Sequence, residues 1–327
     1  MSKRLLKAVL FALAIAAADA APGTALAQAW PDRQVIRLIS PYAPGGTTDV
    51  LARMLAPKLQ EKLGQNVIVE NRAGAGGNLG TDIVAKAPAD GYTLLLAASG
   101  PVVIAPSLYP KLPYDPLKDL TFISPIANAS FVVVVNAGAG INSIKDLIAQ
   151  GKQSGKLNFG SSGTGTPQHI IGEMFNVTAG TRIQHIPYNG SGPLLNALLG
   201  NQVPIAFDNP ISATPHVKSG KLKLLAVTGA QRSPTFPEIP TLAESGLPGF
   251  DAKPWYGLLG PANLDPQITK RINAAMREIL STTDFKARIF VLGGEPMLMS
   301  PAEFRAFVTA DLAKWTKVVK TSGATVD

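Results

Sequence analysis

The chain has 327 residues, 46% of them hydrophobic, with 30 Lys and Arg against 22 Asp and Glu, a formal charge of +8, three histidines and no cysteine. The lack of thiols excludes a disulfide framework and thiolate chemistry, so core burial must supply stability. Lys and Arg are scattered singly, without a basic run or interleaved aromatics, which argues against nucleic acid as a partner and for small anions.

Lys3, Arg4 and Lys7 precede an apolar stretch over 8–18, and Ala25 and Ala27 supply small residues before Gln28. This pattern predicts a secretory signal over 1–27, cleaved after Ala27, with Ala18-Asp19-Ala20 as a weaker alternative. The apolar run is far shorter than the ~20 residues of a membrane-spanning helix. The first 27 residues carry three cations and one anion, which leaves +6 on an exported, soluble chain of ~300 residues, enough for about two domains.

From residue 35 onward, short β-rich runs alternate with helical periods, so the expected class is α/β, with mostly parallel sheets flanked by helices. Strands are expected over 35–40, 67–70 and 92–97, with a helix over 48–63 ended by Gly64. A second series opens at 131–136. It continues with a helix from 143, strands over 157–160, 182–188, 203–207 and 223–228, and helices near 167–176 and 193–199. Residues 231–254 are crowded with Pro, Gly, Ser and Glu and read as a long surface connection. A strand over 255–259 follows, then helices over 266–280 and 301–320, each with proline in its first turn. The order fits two lobes, one built from 28–130 and 255–327 and the other from 131–254, with hinges near 128–133 and 253–258. Two sequential domains or one large sheet are the alternatives.

Four glycine-rich turns each follow an apolar run. They are 41–49 (PYAPGGTTD), 71–80 (NRAGAGGNLG), 159–169 (FGSSGTGTPQH) and 187–193 (PYNGSGP). A helix N-terminus carries orphan N–H groups and about half a positive charge, so such turns suit a carboxylate or phosphate without lysine. In the first turn, two glycines admit close backbone approach and Thr47 and Thr48 sit where a helix begins; the plainer reading is that a threonine caps that helix. The second turn resembles a dinucleotide fingerprint only loosely, and Asn71 at its strand end is able to face a cleft. In the third, His169 lies one turn into a helix and points either to a ligand or into the interior. Asp208, ending a strand, either accepts an ammonium or hydroxyl of a ligand or caps the segment after it. Motifs for a nucleophile elbow, a zinc protease, a P-loop and a Ser-x-x-Lys site are absent, so neither a cofactor nor a metal is expected and capture is favoured over turnover.

These turns, with Trp30-Pro31, VIVENRAGAGGNLGTDIVAKAPADGYTLL, VPIAFD, AVTG and PEIPTLAESGLPGF, span nearly the whole mature chain in order. Together they resemble the Bug-type substrate-binding proteins of tripartite tricarboxylate transporters. The resemblance implies a two-lobed periplasmic binding protein (Venus flytrap) that closes on a small mono- or dicarboxylic acid and delivers it to a membrane permease. It implies that Ala43, Gly45, Gly46, Thr47 and Thr48 grip a carboxylate with Asn71 and Ser99 beside them. Ser162, Gly163, Thr164, Gly165, Thr166 and His169 answer from the opposite lobe, and Asp208 stands where some relatives meet a ligand amine. Tyr42 departs from the phenylalanine of many relatives and adds a hydroxyl to the pocket. A monomer is expected. The rival functions are an exported enzyme, with His169 as base and Asp208 as its orienter, and a carboxylate sensor for a membrane partner.

Overall fold

The computed structural model describes residues 30–324 apart from 154, 156 and 292, so the leader expected at 1–27 lies outside the described residues. Two mixed sheets form the frame. The first has the order β11-β4-β10-β3-β1-β2 and comprises β1 (Ile36–Ser40), β2 (Val67–Asn71), β3 (Thr93–Ala98), β4 (Leu120–Asn128), β10 (Trp255–Pro261) and β11 (Glu295–Pro296). The second has the order β7-β6-β8-β5-β9 and comprises β5 (Val132–Asn136), β6 (Asn158–Ser161), β7 (Gln184–Pro187), β8 (Ile205–Asp208) and β9 (Leu222–Val227).

The sheets are less parallel than the alternating pattern predicts. β1 runs parallel to β2 and β3, and β6 to β7 and β8, but β10 is antiparallel to β3 and β4, and β5 to β8 and β9. The cause is topological. β5 and β10 receive the chain from the other sheet, so each starts at the gap and runs away from it, against strands that end there. The two crossings lie side by side: the Ala129 N–H donates to the Pro254 carbonyl (3.1 Å), and Thr228 donates through its N–H to Phe131 (2.8 Å) and through Oγ1 to Ala252 (2.6 Å).

Each sheet is covered on both faces. β3 is buried along its whole length, as expected for a strand under helices on either side. Helix α1 (Thr47–Leu63) buries Leu51, Leu55, Leu59 and Leu63 at four-residue spacing, each contributing about 1.5–3 kcal/mol of apolar burial. It ends where Gly64 takes a left-handed φ of 77° and donates its N–H to Gln60. The C-terminal helix α10 (Pro301–Ser322) buries Phe304, Val308, Trp315 and Val319 and packs on β4 of the first sheet as well as on α5 (Pro167–Ala179), which follows β6 of the second.

Residues 228–254 hold no helix or strand, as expected, but they are not merely superficial. Leu242, Leu247, Phe250 and Ala252 are buried, and the Leu242 N–H donates to Val227 (2.9 Å), so the apolar residues among the turn formers anchor the segment. β4 escapes a pattern search because Pro125 interrupts it. A register shift between Tyr256 and Gly257 of β10 accommodates that proline. The remaining helices are α2 (Asn78–Ala85), α3 (Ala105–Leu108), α4 (Ile144–Gly151), α6 (Ser191–Leu199), α7 (Pro210–Lys218), α8 (Pro266–Ser281) and α9 (Thr283–Val291).

Candidate functional site

The glycine-rich turns all leave the carboxyl ends of strands. Turn 41–46 follows β1, 72–77 follows β2, 162–166 follows β6 and 188–190 follows β7, so they converge on the gap between the sheets, where open α/β folds bind ligands. Several contacts cross it. A Cβ placed at Gly46 would lie 3.7 Å from Cβ of Ser191, one at Gly190 would lie 3.1 Å from Cβ of Ala43, and the Tyr109 hydroxyl donates to the Thr164 carbonyl at 3.2 Å.

Two connected spaces occupy the gap. An inner recess of about 20 Å³ is lined by Tyr42, Gly46, Thr47, Thr48, Ser99, Ser162, Gln168, Ser191 and Tyr256 among others, and by no lysine or arginine. It holds roughly one to two water-sized groups, the scale of a carboxylate's oxygens. Tyr42 and Ser162 are shared with an outer cleft of about 640 Å³ that takes in Ala43, the 73–77 loop, Tyr109, Gly163, Thr164 and 187–190, again without a cation.

Three helices begin at the inner recess, and none of them has a side-chain cap. α1 starts after Gly46, α5 after Thr166 and α6 after Gly190, with no side-chain hydrogen bond to the first turn in any of the three. By contrast, α4, α8 and α10 are capped: Ser143 accepts from Asp146, Asp265 from Gln267, and Ser300 forms a full capping box with Glu303, whereas α2, which starts after Gly77 at the outer cleft, and the single-turn α3 have no side-chain cap either. An uncapped start keeps its orphan N–H groups and its positive dipole end available to an outside acceptor. Two buried hydroxyls in the recess add to this. Ser99 Oγ has no hydrogen-bond partner, and Thr47 Oγ1, near the Tyr256 hydroxyl, makes no bond of ordinary geometry. A buried polar atom without a partner costs about 1–3 kcal/mol, and a ligand oxygen relieves that cost.

The sequence-derived candidates divide into lining and supporting residues. Tyr42, Gly46, Thr47, Thr48, Ser99 and Ser162 line the recess, and Ala43, Gly163 and Thr164 line the cleft. Gly45, Asn71, Gly165, Thr166, His169 and Asp208 stand behind the lining. The Gly45 N–H donates to Asp49 Oδ2 (3.0 Å), and the Asn71 amide donates to the Tyr42 carbonyl (3.0 Å), which pins the first turn. Burial opposes ionisation of Asp49, but Arg53 and Gly45 outweigh it and hold its carboxyl below the usual range. The Tyr42 hydroxyl donates to the Gly76 carbonyl at 2.9 Å, so it ties two turns together.

His169 lies under the third turn. Its Nδ1 accepts the Gly165 N–H (3.2 Å), its ring stacks on His185 at 3.9 Å, and Glu173 lies 4.0 Å from Nε2. Burial pushes His169 down to about 4, and burial together with His169 pushes His185 down to about 3, so both rings are neutral at pH 7. Ser161 Oγ lies 2.6 Å from Nε2 of His185 and donates to the Gly163 carbonyl. Asp208 is fully buried; it accepts from Ser212 Oγ (3.1 Å) and Gln168 Nε2 (3.4 Å), and burial pushes it up to about 6. The acid and the histidine are thus engaged by different partners rather than by each other.

Gln168, Ser191, Tyr256, Tyr109 and Tyr188 line the gap without having been singled out as binding residues. Gln168, Tyr188 and Ser191 belong to motifs with a local signal, TPQH and PYNGSGP. Tyr109 and Tyr256 carry none, since each arrives from a different part of the chain. Among the described residues no cluster of His, Cys, Asp or Glu is able to hold a metal ion.

Comparison with known proteins identifies the architecture. Residues 51–324 match the model of the tripartite tricarboxylate transporter family receptor, TctC. Protein BugT of Bordetella pertussis is 39% identical over 326 residues, 99% of each chain. The solved structure of R. palustris Rpa4515 with adipate is 34% identical, with a TM-score of 0.87 over 90% of this chain and 99% of that one. MatC from Rhodopseudomonas palustris with bound malate is 29% identical, with a TM-score of 0.84 over 88% and 99%. The periplasmic binding protein BugD shares the fold at a TM-score of 0.85 and 33% identity, over 90% and 99% of the two chains. These are receptors, not enzymes. The chain belongs to the TctC family of tripartite tricarboxylate transporter receptors and has the periplasmic binding protein fold.

Proposed function

We propose that the protein is exported to the periplasm, captures a small mono- or dicarboxylic acid between two lobes, and delivers it to the membrane permease of a tripartite tricarboxylate-type transporter. The observation that carries this reading is the convergence of three helix starts without side-chain caps, those of α1, α5 and α6, on one recess that no lysine or arginine lines. Each charge-assisted bond from such an end to an anion contributes about 1.5–3 kcal/mol, so a few of them hold a carboxylate without an ion pair. The relatives solved with adipate and malate fit a ligand of that class.

In this reading the lobes are 28–130 with 255–327, and 131–254, turning about the paired crossings. Closure is driven by contacts that the ligand makes with both sides at once, because only a difference in affinity between open and closed forms moves the equilibrium. Isothermal titration of ligand-stripped protein against organic acids, adipate and malate included, tests the proposal. Saturable binding of one acid per chain, with the acid recovered unchanged, is the expected result. A flat response to every acid in the set refutes it.

A further inference from the structure

Tyr256 enters the recess from β10, where it pairs in register with Ala98, the residue before Ser99. Its hydroxyl oxygen accepts a hydrogen bond of 2.7 Å from Nδ2 of Asn209, which directly follows β8 in the other sheet. Both side chains are buried, Asn209 at 1% exposure. A phenol has one proton and two lone pairs. With Asn209 donating to one lone pair, the Tyr256 proton is directed away from Asn209, on a ring that lines the recess beside the unbonded hydroxyls of Thr47 and Ser99.

We propose that Tyr256 is a ligand-binding donor of the recess, and that Asn209 is the positioning residue that keeps the phenol oxygen an acceptor on its far side and hence a donor toward the ligand. The assignment rests on the carboxylate reading given above. Burial raises the phenol's pKa, which keeps the proton in place at any physiological pH. Three hydroxyls from three segments then meet at the recess: those of Thr47 and Tyr256 lie next to each other, and Ser99 is the third. The hydroxyls of Thr47 and Ser99 rotate to donate or accept, but the oriented Tyr256 proton and the main-chain N–H groups of the helix starts only donate; a carboxylate offers acceptors to all of them, whereas a carboxamide has one oxygen to share among them, so this arrangement selects the acid over its amide.

Wild-type protein, Tyr256→Phe, Asn209→Ala and the double variant are titrated calorimetrically with adipate, malate and a panel of mono- and dicarboxylates. The tightest acid and its amide are then carried through all four proteins. The ring-conserving Tyr256→Phe change leaves the buried Asn209 amide without its acceptor and should lower the melting temperature by about a few degrees with cooperative folding retained, while acid binding weakens about tenfold or more, the loss of one hydrogen bond to a charged group. It should also narrow the preference for acid over amide. Asn209→Ala should weaken binding less, and the double variant should bind no more weakly than Tyr256→Phe alone. If Asn209→Ala melts early, Asn209→Ser replaces it. Wild-type affinity in Tyr256→Phe, or losses that simply add in the double variant, overturns the assignment. If no acid binds the wild-type protein, the carboxylate reading itself fails and takes this assignment with it.

Discussion

Tyr109 and Thr164 are joined across the cleft: the phenol of the first, on the α3 side, donates to the carbonyl of the second, on the β6 side, at 3.2 Å. The same hydroxyl lies 3.4 Å from the Ala75 carbonyl, so it bridges two loops at the cleft's edge. A bond of this kind contributes about 0.5–1.5 kcal/mol to the closed form. Tyr109→Phe should therefore speed ligand release roughly two- to tenfold while leaving association nearly unchanged. Stopped-flow fluorescence with a bound acid measures this, and an unaltered off-rate would show that the contact plays no part in closure.

Gly46 precedes α1 with φ −82° and ψ 172°, a conformation open to any residue, and a Cβ there meets nothing closer than 3.6 Å. Gly46→Asp should thus be accommodated and should cap the helix with its own carboxylate. The expected outcome is a gain of about 0.5 kcal/mol in stability together with loss of acid binding, because the tethered anion occupies the ligand's place. Thermal melting and calorimetric titration check the two halves. Retained affinity would remove this helix end from the binding site.

Gly76 has φ 63°, and a Cβ on it would lie 2.6 Å from the backbone carbonyl oxygen of Thr164 on the facing side. Gly76→Ala costs about 1 kcal/mol locally for the left-handed conformation. Its larger effect falls on closure, since backbone faces backbone and neither yields easily. Affinity should fall more than tenfold while the protein still folds cooperatively. Small-angle scattering with saturating acid should report a wider molecule than wild type; identical profiles would contradict the close approach.

His169 is held neutral with a pKa of about 4 against an ordinary 6.5. Below pH 6.5 the unfolded chain takes up a proton that the folded chain refuses. The stability contributed by the neutral ring is therefore complete above pH 6.5 and is lost as the pH falls toward 4, by roughly 3 kcal/mol in all. Asp208 acts in the opposite sense: its folded pKa of about 6 exceeds the ordinary 3.8, so it adds stability as the pH drops through 6. His185, held neutral in the same way, adds to the His169 effect, and Asp208 opposes both in wild type; His169→Asn isolates the share of His169, because the Asn carbonyl is able to accept the Gly165 N–H without titrating. Denaturant unfolding from pH 7.5 to 4.5 should show wild type losing ground to the variant as acid is added. A difference independent of pH would mean that His169 is not kept neutral by burial.

Much of the frame is legible in the chain because its signals are local. The period-four leucines of α1, the glycine at its end and the valines of β5 each declare themselves within a few residues. β4 does not, because Pro125 disrupts its pattern and the compensating register shift lies on β10, more than a hundred residues away. The turns that line the recess are legible for the same local reason: Gly46, Thr47 and Ser162 sit in motifs that show backbone and hydroxyls. Which way a side chain points is another matter. Asn71, His169 and Asp208 lie beside the right loops but spend their polar atoms on Tyr42, Gly165 and Gln168. Tyr109 and Tyr256 gain their places only through contacts with residues 55 and 47 positions away.

The missing caps at α1, α5 and α6 bear on how such a receptor diversifies. Peptide N–H groups cannot be deleted by point mutation except by proline, so a grip made of them tolerates substitution at nearly every neighbouring side chain. On the carboxylate reading proposed above, drift along the tyrosine-bearing outer cleft exchanges one acid for another while the anchoring chemistry stays constant, so one scaffold serves several ligands.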